Sequence, residues 1–114
     1  MTLSKVEITL ISQDKDRLLL KVNFPENSGL YAGHFPGFPL LPGVVQMNTA
    51  MRIYEKYYSE PKQFNGLHSL KFFYPILPGR EIQLEINYDH EKKYLKFNYF
   101  DQVRSYSKGS VVMS

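Results

Sequence analysis

Between Gly33 and Gly43 the chain carries three prolines and three glycines around a single imidazole, His34. Proline rings lock φ, and a backbone so punctuated has little freedom. A rigid loop makes sense where a side chain and backbone donors must be held at set positions. Near neutral pH an imidazole takes a proton and returns it. The loop runs directly into a helical pattern, and the unpaired N–H groups and positive dipole end of a helix start hold developing negative charge on an oxygen. A base beside such an oxyanion site is what proton abstraction next to a thioester carbonyl requires. The residues alone leave a second reading open, in which His34 is a hydrogen-bonded turn residue. Phe35 and Phe38 read as core plugs before substrate platforms.

The other candidates are weaker. His68 falls in a strand pattern and reads as an exposed edge residue, and His90 belongs to a charged turn and reads as solvated. Tyr54, Tyr57 and Tyr58 line the helix and read as core or dimer packing. Arg80, Lys92, Lys93, Arg104 and Lys108 form part of either a basic docking surface for an acidic partner or an ordinary soluble surface.

The elements that must position the loop follow from periodicity. Ile82, Leu84, Ile86 and Tyr88 alternate with polar residues, as do Leu95, Phe97 and Tyr99, with a polar turn at Asp89–Lys93 between them. A turn near Asp101-Gln102 leads to a last strand from about Val103 to Met113. Leu67–Tyr74 reads as another strand, ended by Pro75 and Pro78-Gly79. At the front, Val6, Ile8 and Leu10 alternate, then Leu18, Leu20, Val22 and Phe24, across a turn at Gln13–Asp16.

Only Val44–Ser59 changes period. At about 100° per residue, Val44, Met47, Ala50, Met51, Ile53, Tyr54, Tyr57 and Tyr58 fill one broad face, with Gln46 inside it. Val45, Asn48, Thr49, Arg52, Glu55 and Lys56 take the narrower face. So wide an apolar arc predicts a helix surrounded by protein on most sides. Two strands, this helix and four more strands predict a hotdog architecture, an α+β fold in which a curved antiparallel six-stranded sheet wraps one long central helix. Two-layer α+β folds of the same element order compete with it.

Composition narrows the classes. The 114 residues suit a single domain, 1–114, with no internal repeat, and nine tyrosines and eight phenylalanines supply a core. Cysteine is absent, which removes thiol catalysis, zinc–thiolate sites and disulfides. A formal net charge of +3 with scattered basic residues is far short of a nucleic-acid signature. No apolar run reaches the roughly 18 residues of a membrane span, and the first residues lack the pattern of a signal peptide. The expectation is a soluble cytoplasmic protein.

Gly33-His34-Phe35-Pro36-Gly37, followed by Pro39 and Leu41-Pro42-Gly43-Val44, resembles the active-site segment of the 3-hydroxyacyl-acyl-carrier-protein dehydratases of the FabZ/FabA type. The continuation to Val45-Gln46-Met47 is similar to the short ApeI-like members associated with aryl polyene lipid clusters. Leu70-Lys71-Phe72-Phe73-Tyr74-Pro75-Ile76-Leu77-Pro78-Gly79 resembles the family's third strand and the Pro-Gly turn after it.

The resemblance implies a hotdog homodimer, or an oligomer of such dimers, joined edge to edge through the strand at Leu67–Tyr74. It implies a substrate on the phosphopantetheine arm of an acyl carrier protein, entering a tunnel at the interface and losing water to give a trans-2-enoyl thioester in fatty-acid or polyene lipid biosynthesis. His34 would remove the C2 proton and the Gly43 N–H would polarise the carbonyl. Gly33, Phe35, Pro36, Phe38 and Val44 would line the substrate site, with no cofactor, metal or nucleic acid. The family's acidic helix position falls on Asn48, an amide that orients a hydroxyl but cannot serve as a general acid. That departure keeps a catalytically weak acyl-binding or partner subunit in view. A hotdog thioesterase is a more distant alternative, because the loop and helix present no carboxylate before Glu55.

Overall fold

Alternating apolar side chains build a sheet with one dry face. The computed structural model describes residues 6–25, 41–60 and 62–114. Within them lie strands β1 (Glu7–Gln13), β2 (Arg17–Asn23), β3 (Phe64–Phe72), β4 (Glu81–Asp89), β5 (Tyr94–Phe100) and β6 (Ser105–Met113), and helix α1 (Gly43–Tyr58) between β2 and β3. Every pairing is antiparallel, in the order β1-β2-β4-β5-β6-β3. Short turns make hairpin partners of β1–β2 and of β4–β5–β6. β3, entered from the helix, closes the far edge against β6.

Register stacks the dry face in rows. Leu20, Leu84, Tyr99, Ser107 and Phe72 stand opposite one another across five strands, and Leu18, Ile86, Phe97, Gly109 and Leu70 form the next row. Leu18, Leu20, Leu84, Leu95 and Tyr99 are completely buried. Side chains of this size each contribute about 1.5–3 kcal/mol when removed from water. This is the expected hotdog arrangement, a six-stranded antiparallel sheet packed on one helix.

The helix sits on the sheet through a different strip from the one the wheel predicts. Gln46, Thr49, Ala50, Ile53 and Tyr54 are its buried residues. Thr49, expected on the polar face, is wholly buried, while Val44, expected inside, is 57% exposed. The buried strip is therefore rotated by about 60° from the apolar arc. Val44 is left exposed, and Met47 and Met51 remain only half-buried along one flank. An apolar arc wider than the face that meets the sheet does not by itself say which part faces inward.

Turn chemistry sets the boundaries. Asp101 Oδ1 accepts hydrogen bonds from Val103 and Arg104 N–H, so the β5–β6 turn holds Val103 in solvent and β6 starts at Ser105, not Val103. Asp89 Oδ1 does the same for Glu91 and Lys92. β3 begins three residues before the expected Leu67 and ends at Phe72, although Phe73 and Tyr74 N–H still reach Tyr106 O. The helix ends with Ser59 in the left-handed region at φ 51°.

Gly109 lets Phe97 pack on the backbone of β6, because a Cβ there would lie 2.4 Å from the ring of Phe97, which is itself 3% exposed. Gly109→Ala is expected to cost about 1–3 kcal/mol by overpacking. Combining it with Phe97→Leu should recover part of that loss as a coupling energy. Thermal unfolding of the two single variants and the double reads the cycle, and strict additivity would contradict the packing account.

Candidate functional site

The helix start is built without a cap. Pro42 occupies the cap position with φ −60° and ψ 145°, no side chain caps the first turn, and no acidic residue stands there. Proline pre-sets φ but offers no side-chain acceptor. Pro42 O accepts the N–H groups of Val45 and Gln46 at 3.1 and 3.2 Å. Among the described residues nothing accepts from the N–H of Gly43 or Val44. Two donors at the positive end of a 16-residue helix are thus without a partner among the described residues.

Beneath that first turn lies a buried polar cluster. Gln46, 3% exposed, donates from Nε2 to Leu41 O at 3.1 Å. Its Oε1 accepts from Ser107 Oγ at 2.6 Å, and its backbone O accepts from Tyr99 OH at 2.7 Å. Burial pushes the Tyr99 phenol well above the ordinary tyrosine range, with the nearby Thr49 hydroxyl acting weakly the other way. Tyr99 therefore stays a protonated donor. Thr49 Oγ1 is buried beside it but completes no hydrogen bond of its own.

Phe72 covers the same helix end. A Cβ on Gly43 would stand 2.4 Å from Phe72 Cζ, so glycine is what lets the ring lie on the backbone. Phe72 is 53% exposed and continues into Phe73 and Tyr74, both about half exposed, on the unpaired edge of the sheet. Asn48 is half-buried, one turn before the Arg52–Glu55 ion pair.

The structure thus brings together Gly43, Val44 and Phe72 at the helix start, with Asn48 in the next turn. Gly33, His34, Phe35, Pro36 and Phe38 lie outside the described residues. His68 is exposed on β3 with its ring 4.5 Å from that of Tyr94, and His90 Nε2 meets Asp16 Oδ1 at 2.5 Å at the opposite end of the helix. Tyr54 is core, packed on Tyr58 and Tyr88. The five basic residues do not share one surface. Arg104 lies over the Tyr74 ring at 4.3 Å and Arg80 borders a groove with Lys21, Glu81 and Asp101, whereas Lys92 and Lys93 occupy the β4–β5 turn and Lys108 lines a groove with Glu85, Asn87 and Lys96. Among the described residues no group of three or more His, Asp or Glu could hold a metal ion, and no helix is long and apolar enough to cross a membrane.

The sequence alone does not mark the Gln46–Ser107–Tyr99 cluster as part of the site. Its one visible signal is a glutamine inside the apolar sector of the helix.

Among the described residues, a curved antiparallel sheet of six strands packed on one helix is the hotdog arrangement. The model of the ApeI-like family (ApeI dehydratase) matches residues 10–110, and the chain belongs to that family. Among solved structures, a chain of the dehydratase heterocomplex ApeI:P from Xenorhabdus doucetiae superposes with TM-score 0.80 at 28% identity, covering 94% of this chain and 97% of that one. An uncharacterized protein from Erwinia carotovora subsp. atroseptica gives 0.78 at 28% identity, covering 92% and 89%. The 3-hydroxyacyl-acyl-carrier-protein dehydratase FabZ of Koribacter versatilis is 32% identical over 81 residues, 64% of this chain and 52% of its own length. The chain spans about half the length of the curated relatives it matches.

Gly43→Ala tests how freely Phe72 moves. The clash distance equals that at Gly109, but this ring is half in solvent and can swing. Alanine also gains up to about 1 kcal/mol of helix propensity. The net change in stability is expected to stay within about 1 kcal/mol, and a loss as large as that of Gly109→Ala would show the ring to be fixed.

Proposed function

We propose that the protein is a 3-hydroxyacyl thioester dehydratase acting on a carrier-bound chain. The observation that carries this reading is the family match across residues 10–110, which spans the His34 loop, the uncapped helix start and the strand after it. In this reading His34 takes the C2 proton, and charge moving onto the thioester oxygen is held by the Gly43 N–H at the positive helix end. The C3–O bond then breaks, the departing hydroxyl receives a proton from the imidazolium, and water and the trans-2-enoyl thioester leave. Gly33, Phe35, Pro36, Phe38 and Val44 line the acyl path. No cofactor takes part, the enzyme works in the cytoplasm, and residues 1–114 act as one domain.

Asn48 holds the C3 hydroxyl by hydrogen bonding, leaving His34 to supply the proton for departure as well. An acidic carrier protein would meet Arg80 and Arg104, of which Arg80 acts on Asp101 and Arg104 lies over the Tyr74 ring. Pairing of β3 with a second copy would cover the exposed Leu67, Phe72 and Phe73 and satisfy the open strand edge. The related structure is a heterocomplex, and with Asn48 in the acidic position this supports a second reading, in which the chain is a weakly active subunit paired with a related partner.

Mass-spectrometric product analysis of the purified protein with a short panel of 3-hydroxyacyl thioesters tests the reading. Enoyl product is expected, while free acid and thiol would indicate hydrolysis. His34→Ala should lower turnover by at least 10²-fold with an unchanged unfolding temperature, on the order expected for losing a general base. Turnover at the native rate would reject the assignment. Asn48→Glu should raise kcat about ten-fold or more if a missing acid limits the rate. An unchanged kcat would mean that another group already supplies the proton.

A further inference from the structure

The uncapped helix poses a problem that the sequence solves in an unusual way. A serine or aspartate cap holds a helix start by accepting one of its free N–H groups. That would consume a donor which, on the reading above, the substrate needs. Here the helix entry is held from the other side. Gln46 reaches back five residues to the carbonyl of Leu41 at 3.1 Å, and is itself gripped by Ser107 of β6 at 2.6 Å. Tyr99 of β5 secures the Gln46 carbonyl at 2.7 Å. The last residue before Pro42-Gly43 is thereby tied through one buried side-chain amide to β6, while the Gln46 backbone carbonyl is tied to β5.

We infer that Gln46 is a positioning residue, whose side-chain amide clamps the Leu41 carbonyl to β6 and so aims the Gly43 N–H. The assignment of that N–H to a thioester carbonyl rests on the dehydratase reading; the clamp itself does not. A buried amide is used where a methionine or leucine of similar volume would fill the same space, at the cost of desolvating four hydrogen-bonding sites. The cost is offset only because both ends of the amide are satisfied, and both partners belong to elements that must be held together. The geometry is directional, with the NH₂ toward the loop and the oxygen toward the sheet.

The test compares the intact wild-type protein with Gln46→Met, Gln46→Glu and Ser107→Ala by site-resolved amide hydrogen exchange and by dehydration kinetics. The N–H groups of residues 45 and 46 bond to Pro42 O and report on whether the loop end is held. In Gln46→Met they are expected to exchange about ten-fold faster, while the amides of Ile53 and Tyr54 in the buried helix centre keep their wild-type rates. In Ser107→Ala the same two amides should accelerate by a smaller factor. Uniform acceleration along the helix, or none, overturns the clamp and makes Gln46 a filler. With a 3-hydroxyacyl thioester, Gln46→Met should lose ten-fold or more in kcat with KM within two-fold. In Gln46→Glu the amides of residues 45 and 46 should return to the exchange rates of wild type at the same pH only at acidic pH, where the neutral acid donates to Leu41 O as the amide does. Exchange of these two amides in Gln46→Glu as fast as in Gln46→Met at every pH also counts against the clamp. If wild type yields no enoyl product while the exchange pattern is as stated, the dehydratase reading fails and the clamp stands.

Discussion

The described part of the site depends on how the first turn of α1 is fastened to the sheet. A helix start has N–H groups with no partner inside the helix, and a chain entering through Pro42 has no side chain with which to satisfy them. Burying such an end would be costly, and leaving it loose would blur the direction of its donors. The fold avoids both by placing a polar cluster below the turn and leaving the N–H groups pointing away from it. Gln46, Ser107 and Tyr99 are all buried, and their hydrogen bonds run to one another or to backbone carbonyls. In a low-dielectric interior such bonds are directional constraints, because each unmade one costs about 1–3 kcal/mol.

The sheet makes this possible through its register. Leu20, Leu84, Tyr99, Ser107 and Phe72 lie in one row from β2 to β3. The row passes from aliphatic to aromatic to hydroxyl to aromatic just where the helix start rests on it. Ser107 occupies an inward position where the pattern calls for an apolar side chain, and Phe72 lies on Gly43 while half exposed. One row therefore supplies the anchor for the helix end and the apolar wall beside it. The neighbouring row, with Phe97 packed over Gly109, is ordinary core.

The two ends of the molecule have different chemistry. Around the helix C-terminus, Tyr54, Tyr58 and Tyr88 stack, Tyr58 OH donates to Asp14 O, and His90 meets Asp16. These contacts tie the β1–β2 turn to the helix end and to the β4–β5 turn. Around the N-terminus, apolar side chains of β3 are half exposed on an unpaired strand edge. Among the described residues this sheet edge, bordered by exposed phenylalanines, adjoins the helix start.

How much of this was legible in the residues follows from the kind of signal each feature leaves. Strand alternation and turn chemistry are local, so all six strands and the helix were readable, with errors only at ends such as Val103, where an aspartate turn claims residues that look like strand. The Gly33–Gly43 segment, with His34 inside it and Asn48 shortly after, was legible as a motif because its residue types and spacing are contiguous. Which side of the helix meets the sheet was not, since the apolar arc is wider than the contact and only packing selects Thr49 over Val44. Gln46, Tyr99 and Ser107 lie as much as 61 residues apart, and each alone reads as a solitary polar residue. Only the sheet register, set by long-range pairing, brings them under one helix turn.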